Sequence, residues 1–300
     1  MTIASCKLCP RQCGVTRTER EGNGFCKMGA LPVAARAALH FWEEPCISGT
    51  RGSGAVFFTG CSLQCIFCQN HQISTERTVG KVLTPKQLSE VFFRLVEQGA
   101  HNINLVSAAH FAPAVAEALS LRQLPIPVVY NSGGYESLGT LKMLDGLVQI
   151  YLPDYKYDDA QLAQSLSGAP DYVERAREAI LEMVRQTGHC RFDENGILQQ
   201  GTIVRHLLLP GHTKNTLACL DWLAQNLPDG VFVSLMGQYT PCGAVSAHPE
   251  LNRRVTAREY KKVRQHLFDL NLDGFVQELS SARKEYIPTF DLTGLETTEK

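Results

Sequence analysis

The sequence predicts an α/β fold in which a mostly parallel sheet is covered by helices. Six short runs rich in β-branched and aromatic residues are apolar throughout, as buried parallel strands are. Each run is followed by a stretch with helical periodicity, so strands and helices alternate along the chain. The predicted strands are 55–59, 102–107, 127–131, 146–152, 201–208 and 230–235. The predicted helices are 85–98, 113–122, 136–144, 171–186, 213–225 and 256–269.

Composition indicates a globular protein with one large or two small domains. The chain has 300 residues, of which 44% are hydrophobic and 20% charged. Its formal net charge is −1 and it has no basic block, so the sequence predicts no nucleic-acid partner and no membrane partner. No apolar run approaches the roughly 18 residues of a membrane-spanning helix. Eleven cysteines without a signal-peptide pattern predict cytoplasmic thiols and metal ligands rather than disulfides.

Three cysteines stand directly after the first predicted strand. Cys61, Cys65 and Cys68 follow Gly60 with the spacing C-x3-C-x2-C. Thiolates are soft ligands suited to iron–sulfur clusters, zinc or copper(I). Three of them hold three corners of a cubane cluster and leave one iron open for a substrate or cofactor, whereas closed sites take four. The alternatives are structural thiols or a zinc site completed by a residue elsewhere.

This loop resembles the cluster loop of the radical S-adenosylmethionine (SAM) enzymes, with Phe67 at the aromatic position. The resemblance implies a partial (βα)6 TIM-type barrel and a [4Fe–4S] cluster held by Cys61, Cys65 and Cys68. It also implies that SAM binds the open iron. In the family, an electron from the cluster cleaves SAM to a 5′-deoxyadenosyl radical, which abstracts hydrogen from the substrate.

A second cysteine group lies near the N-terminus, where almost nothing could form a core. Its members, which we call the N-terminal tetrad, are Cys6, Cys9, Cys13 and Cys26. Four thiolates suit either a structural zinc or a second, closed iron–sulfur cluster, and their spacing does not distinguish the two. Such a segment orders only when something holds it together. Arg11 and Arg17 are expected to be exposed, the alternative being hydrogen bonds to cluster sulfurs or to a substrate.

The chain is predicted to have three parts. Residues 1–53 form a cysteine-rich extension and a connector, and residues 54–280 form the barrel core. Residues 281–300 form a C-terminal tail that wraps the surface or frays.

Polar residues follow the predicted strands, at the edge where chemistry gathers in parallel βα folds. By the resemblance, these positions bind SAM. The candidates are Ser107, Asn131, Ser132, Asp154, Lys156, Arg205, His206 and Gln238. Asp154 and Lys156 resemble the Asp-x-Lys pair of glycyl-radical-enzyme activases, whereas Ser107 stands near a glutamate that many family members have and this chain lacks. The alternatives are a turn at residues 131–132, a surface ion pair and a core histidine.

Over residues 6–280 the chain resembles radical SAM proteins related to pyruvate formate-lyase activating enzyme. Motifs that carry this resemblance include Tyr-Asn-x-Gly-Gly-Tyr-Glu, Pro-Asp-x-Lys-Tyr and Val-Arg-His-Leu-x-Leu-Pro-Gly. It implies hydrogen abstraction from a glycyl residue of a partner enzyme, or from another peptide or small molecule. It also implies an electron donor such as flavodoxin or ferredoxin. The alternative function is a non-catalytic iron–sulfur electron carrier or a metal-binding interaction protein.

Overall fold

The structure, a computed structural model, describes residues 1–277, 279 and 288–296. The strands are β1 (Val33–His40), β2 (Ser53–Phe58), β3 (Lys81–Val82), β4 (Ile103–Val106), β5 (Val128–Ser132), β6 (Ile150–Pro153), β7 (Arg191–Phe192), β8 (Leu198–Leu207), β9 (Phe232–Met236) and β10 (Gly274–Gln277). The α-helices are α1 (Pro45–Ser48), α2 (His71–Ser74), α3 (Pro85–Glu97), α4 (Ala112–Ser120), α5 (Leu138–Leu144), α6 (Ala160–Ser167), α7 (Tyr172–Thr187), α8 (Thr213–Asn226) and α9 (Ala257–Asp269).

The centre of the fold is a parallel sheet in the order β2-β4-β5-β6-β8-β9-β10. Every residue of β2, β4, β5 and β6 is buried, because one face packs on helices and the other lines the interior of the curved sheet. The sheet path runs from β10 to β3 without closing, which makes a partial barrel. The predicted α/β fold and its six parallel strands are therefore confirmed.

Helix starts follow the signals in the sequence. Thr84 caps α3 with its hydroxyl on the backbone N–H of Gln87, and the Gln87 side chain returns a bond to Thr84, which completes a capping box. Thr256 and Glu259 form the same motif at α9. Among the described residues, no helix has both the length and the apolar character needed to cross a bilayer.

Residues 31–53, within the predicted extension and connector, contain two elements that were not predicted. They contain β1, which pairs antiparallel with β2, and the short helix α1. Three of the first five residues of β1 are alanines, so the usual signal of β-branched residues is weak there. The parallel strand β10 was also not predicted, because two of its four residues are Gly274 and Gln277.

The predicted C-terminal tail is described only in part. Its residues 281–287 and 297–300 lie outside the described residues. Residues 288–296 run along β1, where Thr293 accepts a hydrogen bond from the backbone of Ala37 and Leu292 donates one to Ala35. Phe290 is buried against Phe57 of β2.

Candidate active site

The carboxyl ends of the parallel strands surround a cavity of about 250 Å³. The predicted site residues that line it are Cys61, Cys65, Cys68, Ser107, Asn131, Ser132, Asp154, Lys156, Arg205 and Gln238. These residues come from segments up to 177 positions apart, counted from Cys61 to Gln238. Of the predicted barrel residues, His206 alone does not line this cavity.

The cysteine loop, residues 60–70, begins at a position that only glycine fits well. Gly60 has φ +84°, and a Cβ there would lie 2.6 Å from Cγ of Met28. Its N–H donates to Ile73, which draws the loop back onto α2. The chain thus leaves β2 in a turn that directs the following thiols to the cavity.

Hydrogen-bond donors already face two of the loop sulfurs. The backbone N–H of Leu63 donates to Sγ of Cys61 and the hydroxyl of Ser74 donates to Sγ of Cys68, each at 3.3 Å. Burial raises the pKa of Cys61 and raises that of Cys68 to about 12, and an ionised Cys65 would raise both. Thiolates in this position need a positive centre beside them. The three unpaired thiols therefore fit the ligand set of an iron–sulfur cluster.

The sulfur atoms of Cys61, Cys65 and Cys68 do not converge on a single point. As placed, no three His, Cys, Asp or Glu side chains of the described residues could hold one metal ion. In a cubane cluster each cysteine binds a different iron, so its ligands do not meet at one atom.

Arg205 is the centre of a buried polar network in the cavity wall. Its Nε donates to Asp154 at 2.9 Å, its Nη1 to Glu43 at 3.0 Å and its Nη2 to Asn131 at 2.6 Å. Asn131 in turn donates to Glu43 at 3.1 Å. The guanidinium is planar and rigid, so its N–H donors hold the side chains of Asp154, Glu43 and Asn131 at fixed positions relative to one another.

The second cation of the cavity, Lys156, pairs with the outer oxygen of Asp154 at 2.5 Å. Burial alone would raise the pKa of Asp154, but the charges of Arg205 and Lys156 outweigh it and hold that pKa below its usual value. Asp154 is therefore ionised. The predicted alternative of an ion pair on the surface does not describe this pair, because both side chains are mostly buried.

His206 faces away from the cavity. Its Nδ1 lies 2.6 Å from the carbonyl oxygen of Tyr155 and its Nε2 lies 3.0 Å from the hydroxyl of Thr216 on α8. Consecutive strand residues point to opposite faces of a sheet, so Arg205 and His206 could not both enter the cavity. The core-histidine alternative describes its position.

Glu43 and Glu44 line the cavity, and sequence reasoning missed them. They precede α1, at the amino ends of the parallel strands, whereas the site residues predicted from sequence follow the carboxyl ends. The only signal was an acidic pair beside Pro45 in an otherwise apolar stretch. Ser107, by contrast, was predicted, and its φ of +61° places strained backbone at the cavity wall.

The N-terminal tetrad lies beside the cysteine loop but outside the cavity. Arg11 donates to the carbonyls of Ser62 in the loop and Ser167 at the end of α6, at 2.9 and 2.8 Å. Arg17 is 1% exposed and donates to Sγ of Cys6 at 3.5 Å. The expectation that both arginines are exposed is wrong, because each satisfies carbonyl or sulfur acceptors of the folded segment.

Two further residues near the loop are engaged with protein atoms. Cys242 donates to the carbonyl of Phe67 at 3.2 Å, which places the segment after β9 against the loop. Tyr239 is buried and donates to Leu251 at 2.7 Å. Gln238 is thus the member of this segment that faces the cavity.

No protein-family model matches the chain. It is 29% identical over 280 residues to the uncharacterized protein MJ0674 of Methanocaldococcus jannaschii, an alignment that covers 90% of this chain and 76% of that protein.

Solved structures with a similar fold include three with low identity. SuiB of Streptococcus suis bound to S-adenosylmethionine is 12% identical with a TM-score of 0.46, over 76% of this chain and 48% of SuiB. A radical SAM methyltransferase of Sphaerobacter thermophilus is 14% identical with a TM-score of 0.45, over 75% of this chain and 66% of that protein. A domain of pyruvate-formate lyase-activating enzyme from Bacteroides vulgatus is 15% identical with a TM-score of 0.40, over 65% of this chain and 91% of that domain. The chain spans about half the length of SuiB.

Proposed function

We propose that this protein is a radical SAM enzyme. The observation that carries the proposal is that three unpaired cysteines of one loop line the same cavity as the polar residues at five strand ends. A [4Fe–4S] cluster and SAM, when bound, would supply reductive cleavage of SAM to a 5′-deoxyadenosyl radical that takes hydrogen from a substrate. Cys61, Cys65 and Cys68 are the cluster ligands.

The polar residues of the wall bind and orient SAM. Asp154 is an ionised acceptor suited to an ammonium group, and Lys156 is a donor suited to a carboxylate. Ser107, Ser132 and Gln238 offer hydroxyl and amide groups for hydroxyls and ring nitrogens. Arg205 keeps Asp154 and Asn131 in register with each other. His206 is a positioning residue that ties β8 to the carbonyl of Tyr155.

The hydrogen donor that the resemblance implies is a glycyl residue of a partner enzyme, with other peptides and small molecules as alternatives. The electron would come from a separate donor such as flavodoxin or ferredoxin. We place the reaction in the cytoplasm, where cysteines stay reduced.

The N-terminal tetrad is proposed to bind a metal of its own, either zinc or a second iron–sulfur cluster. As placed, no three of its thiols meet at one atom, so a single zinc ion would draw them closer together. Cys9 is buried and its pKa is raised to about 12, so it too needs a positive centre to become a thiolate. Phe25 donates its backbone N–H to Sγ of Cys13 at 3.2 Å. Metal analysis distinguishes the two: about four irons with zinc per chain indicates a structural zinc, and about eight irons indicates two clusters.

The test is an anaerobic assay of SAM cleavage. The reconstituted protein, dithionite and SAM should yield 5′-deoxyadenosine and methionine, and a variant with Cys61, Cys65 and Cys68 changed to alanine should not. Cys190→Ala is the control, because Cys190 precedes β7, does not line the cavity and donates its thiol to the carbonyl of Thr202. A wild-type protein with full iron and a reversible redox couple but no product would instead be an electron carrier.

A further inference from the structure

The floor of the cavity is built by the two acids that precede α1. β1 runs antiparallel to β2 and ends with His40 opposite Ser53, the first residue of β2. The chain therefore turns in at the amino ends of the parallel strands. There Ile47 of α1 is buried among the interior residues of β5, β6 and β8. Glu43 and Glu44 thus approach the cavity from the end opposite to the cysteine loop.

The two acids differ in what holds them. Glu43 accepts hydrogen bonds from Arg205, Asn131 and Asn104. Glu44 is 1% exposed, and neither of its carboxyl oxygens has a hydrogen-bond partner among the described residues. A buried carboxyl group without partners is costly, and native proteins rarely leave one. Glu44 is also one of the residues that line the cavity, so the cavity is the direction from which a partner for it would come.

Three more buried oxygens in this region lack partners among the described residues. They are the hydroxyl of Ser234 on β9, the amide oxygen of Gln277 on β10 and the amide oxygen of Asn104 on β4. The Ser234 hydroxyl lies close to the Glu44 carboxyl, but neither group has a hydrogen bond that meets the usual geometry within the described residues. All of these atoms accept hydrogen bonds, so the complementary group is a donor with several N–H bonds.

The charges of the lining favour a cation. Three carboxyl groups, those of Glu43, Glu44 and Asp154, face the cations Arg205 and Lys156. Burial lowers the pKa of the nearby His40 to about 4, so that ring is neutral near pH 7. Burial raises the pKa of Glu44, so its ionised form needs a cation beside it, and with Glu44 ionised the lining is one positive charge short of balance.

We propose that the floor of the cavity is a substrate site for a protonated primary amine, which donates to Glu44, Ser234 and Gln277. This inference rests on the proposed function, because it names a feature of the molecule from which hydrogen is taken. The ammonium group belongs either to a small alkylamine or to a lysine side chain of a peptide that reaches into the barrel. A substrate carboxylate at this end would face the carboxyl groups of Glu43 and Glu44 and is therefore disfavoured.

The first arm of the test uses small probes of matched size on the anaerobically reconstituted protein with SAM bound. Butylamine should raise the melting temperature in a concentration-dependent manner, whereas 1-butanol and butyrate should not. In Glu44→Gln the concentration of butylamine needed for a given shift should rise at least about tenfold, since the charge-assisted bond is lost. Ser234→Ala is the second variant and should weaken the shift without removing it, which keeps the proposal testable if Glu44→Gln does not fold.

The second arm distinguishes the two sources of the ammonium. The probes are the peptide acetyl-Gly-Lys-Gly-amide and the same peptide with an Nε-acetylated lysine. Stabilisation by the lysine peptide at concentrations where butylamine has no effect assigns the site to a peptide, and the reverse assigns it to a free amine.

Equal shifts with butylamine, butanol and butyrate would overturn the proposal. Loss of SAM affinity in Glu44→Gln would also overturn it, because Glu44 would then be part of the binding site for SAM and not for the substrate. Failure of the wild-type protein to form 5′-deoxyadenosine would overturn the proposed function instead, and that measurement needs no amine. The two failures are therefore separable.

Discussion

The cavity side and the outer side of the barrel both carry residues capable of metal or acid–base chemistry, but the two sides are built differently. On the cavity side, Cys61, Cys65 and Cys68 share their space with Asp154, Lys156 and Arg205. On the outer side, the N-terminal tetrad is enclosed by its own segment, and His206 is bonded to backbone and to Thr216. Residue type alone therefore does not make a reactive site. The side chain must also line the cavity, where a substrate or cofactor can contact it.

The largest effect should separate the two cysteine groups. Cys65→Ala should lower the rate of 5′-deoxyadenosine formation at least about a hundredfold, because a proposed cluster ligand is lost. Cys13→Ala should lower it far less, because Cys13 does not line the cavity. The measurement is product per iron in the reduced proteins. Equal losses in both variants would mean that the N-terminal tetrad is part of the electron path and that the two cysteine groups do not differ in their importance for the reaction.

The next effect separates two neighbours on β8. Arg205→Met should lower the free energy of unfolding by about 3 kcal/mol, because the buried Glu43 would lose its guanidinium partner and Asp154 would lose one of its two cations. The same change should abolish SAM binding, which urea unfolding and SAM titration measure together. His206→Gln is the matched neighbour and should keep SAM affinity. A similar loss of SAM affinity in both variants would show that His206 reaches the cavity after all.

The pH dependence of stability should identify His206 as a buried neutral residue. Burial lowers its pKa to about 4 in the folded protein, from an ordinary value of about 6.5. The unfolded chain therefore binds the proton more tightly, and the stability present above pH 6.5 is lost as the pH falls toward 4.

Urea unfolding should show that the free energy of unfolding falls between pH 7 and pH 4.5 in both proteins. The fall should be smaller in His206→Gln than in the wild-type protein by about 2 kcal/mol. Burial also lowers the pKa of His40, His101 and His110, but these residues are common to both proteins and cancel in the comparison. Equal falls in the two proteins would mean that His206 is not held neutral.

The smallest effect concerns the contact between the two sides. Arg11→Gln should lower the free energy of unfolding by about 1–2 kcal/mol, because its bonds to Ser62 and Ser167 and its stacking on Phe25 are lost. Hydrogen exchange should increase in residues 1–30 while the strands of the barrel keep their protection. Unchanged exchange there would show that the metal, and not Arg11, holds the segment in place.

Much of the cavity side could be predicted from sequence, because strand-end residues of a parallel sheet share one edge. The cysteine loop needed only a strand, a glycine and the spacing of Cys61, Cys65 and Cys68. The choice between Arg205 and His206 could have been made by strand alternation. Alternation places the two on opposite faces, and only Arg205 shares its face with the buried acids.

The floor could not be predicted in the same way. Glu43 and Glu44 enter from the amino ends because β1 pairs antiparallel with β2, and the alanines of β1 hide that strand. The roles of Arg11 and Arg17 depend on carbonyls and sulfurs that meet only in the folded segment. These are long-range consequences of packing, which a local pattern does not contain.

The most direct test of the central claim is electron paramagnetic resonance of a variant in which Cys6, Cys9, Cys13 and Cys26 are alanine, so that only the cysteine loop can hold a cluster. With about four irons per chain, the reduced cluster should give a signal that SAM shifts, because in the proposed function SAM would bind the iron that the three cysteines leave open. An identical signal with and without SAM, in protein that is fully loaded with iron, would contradict the account.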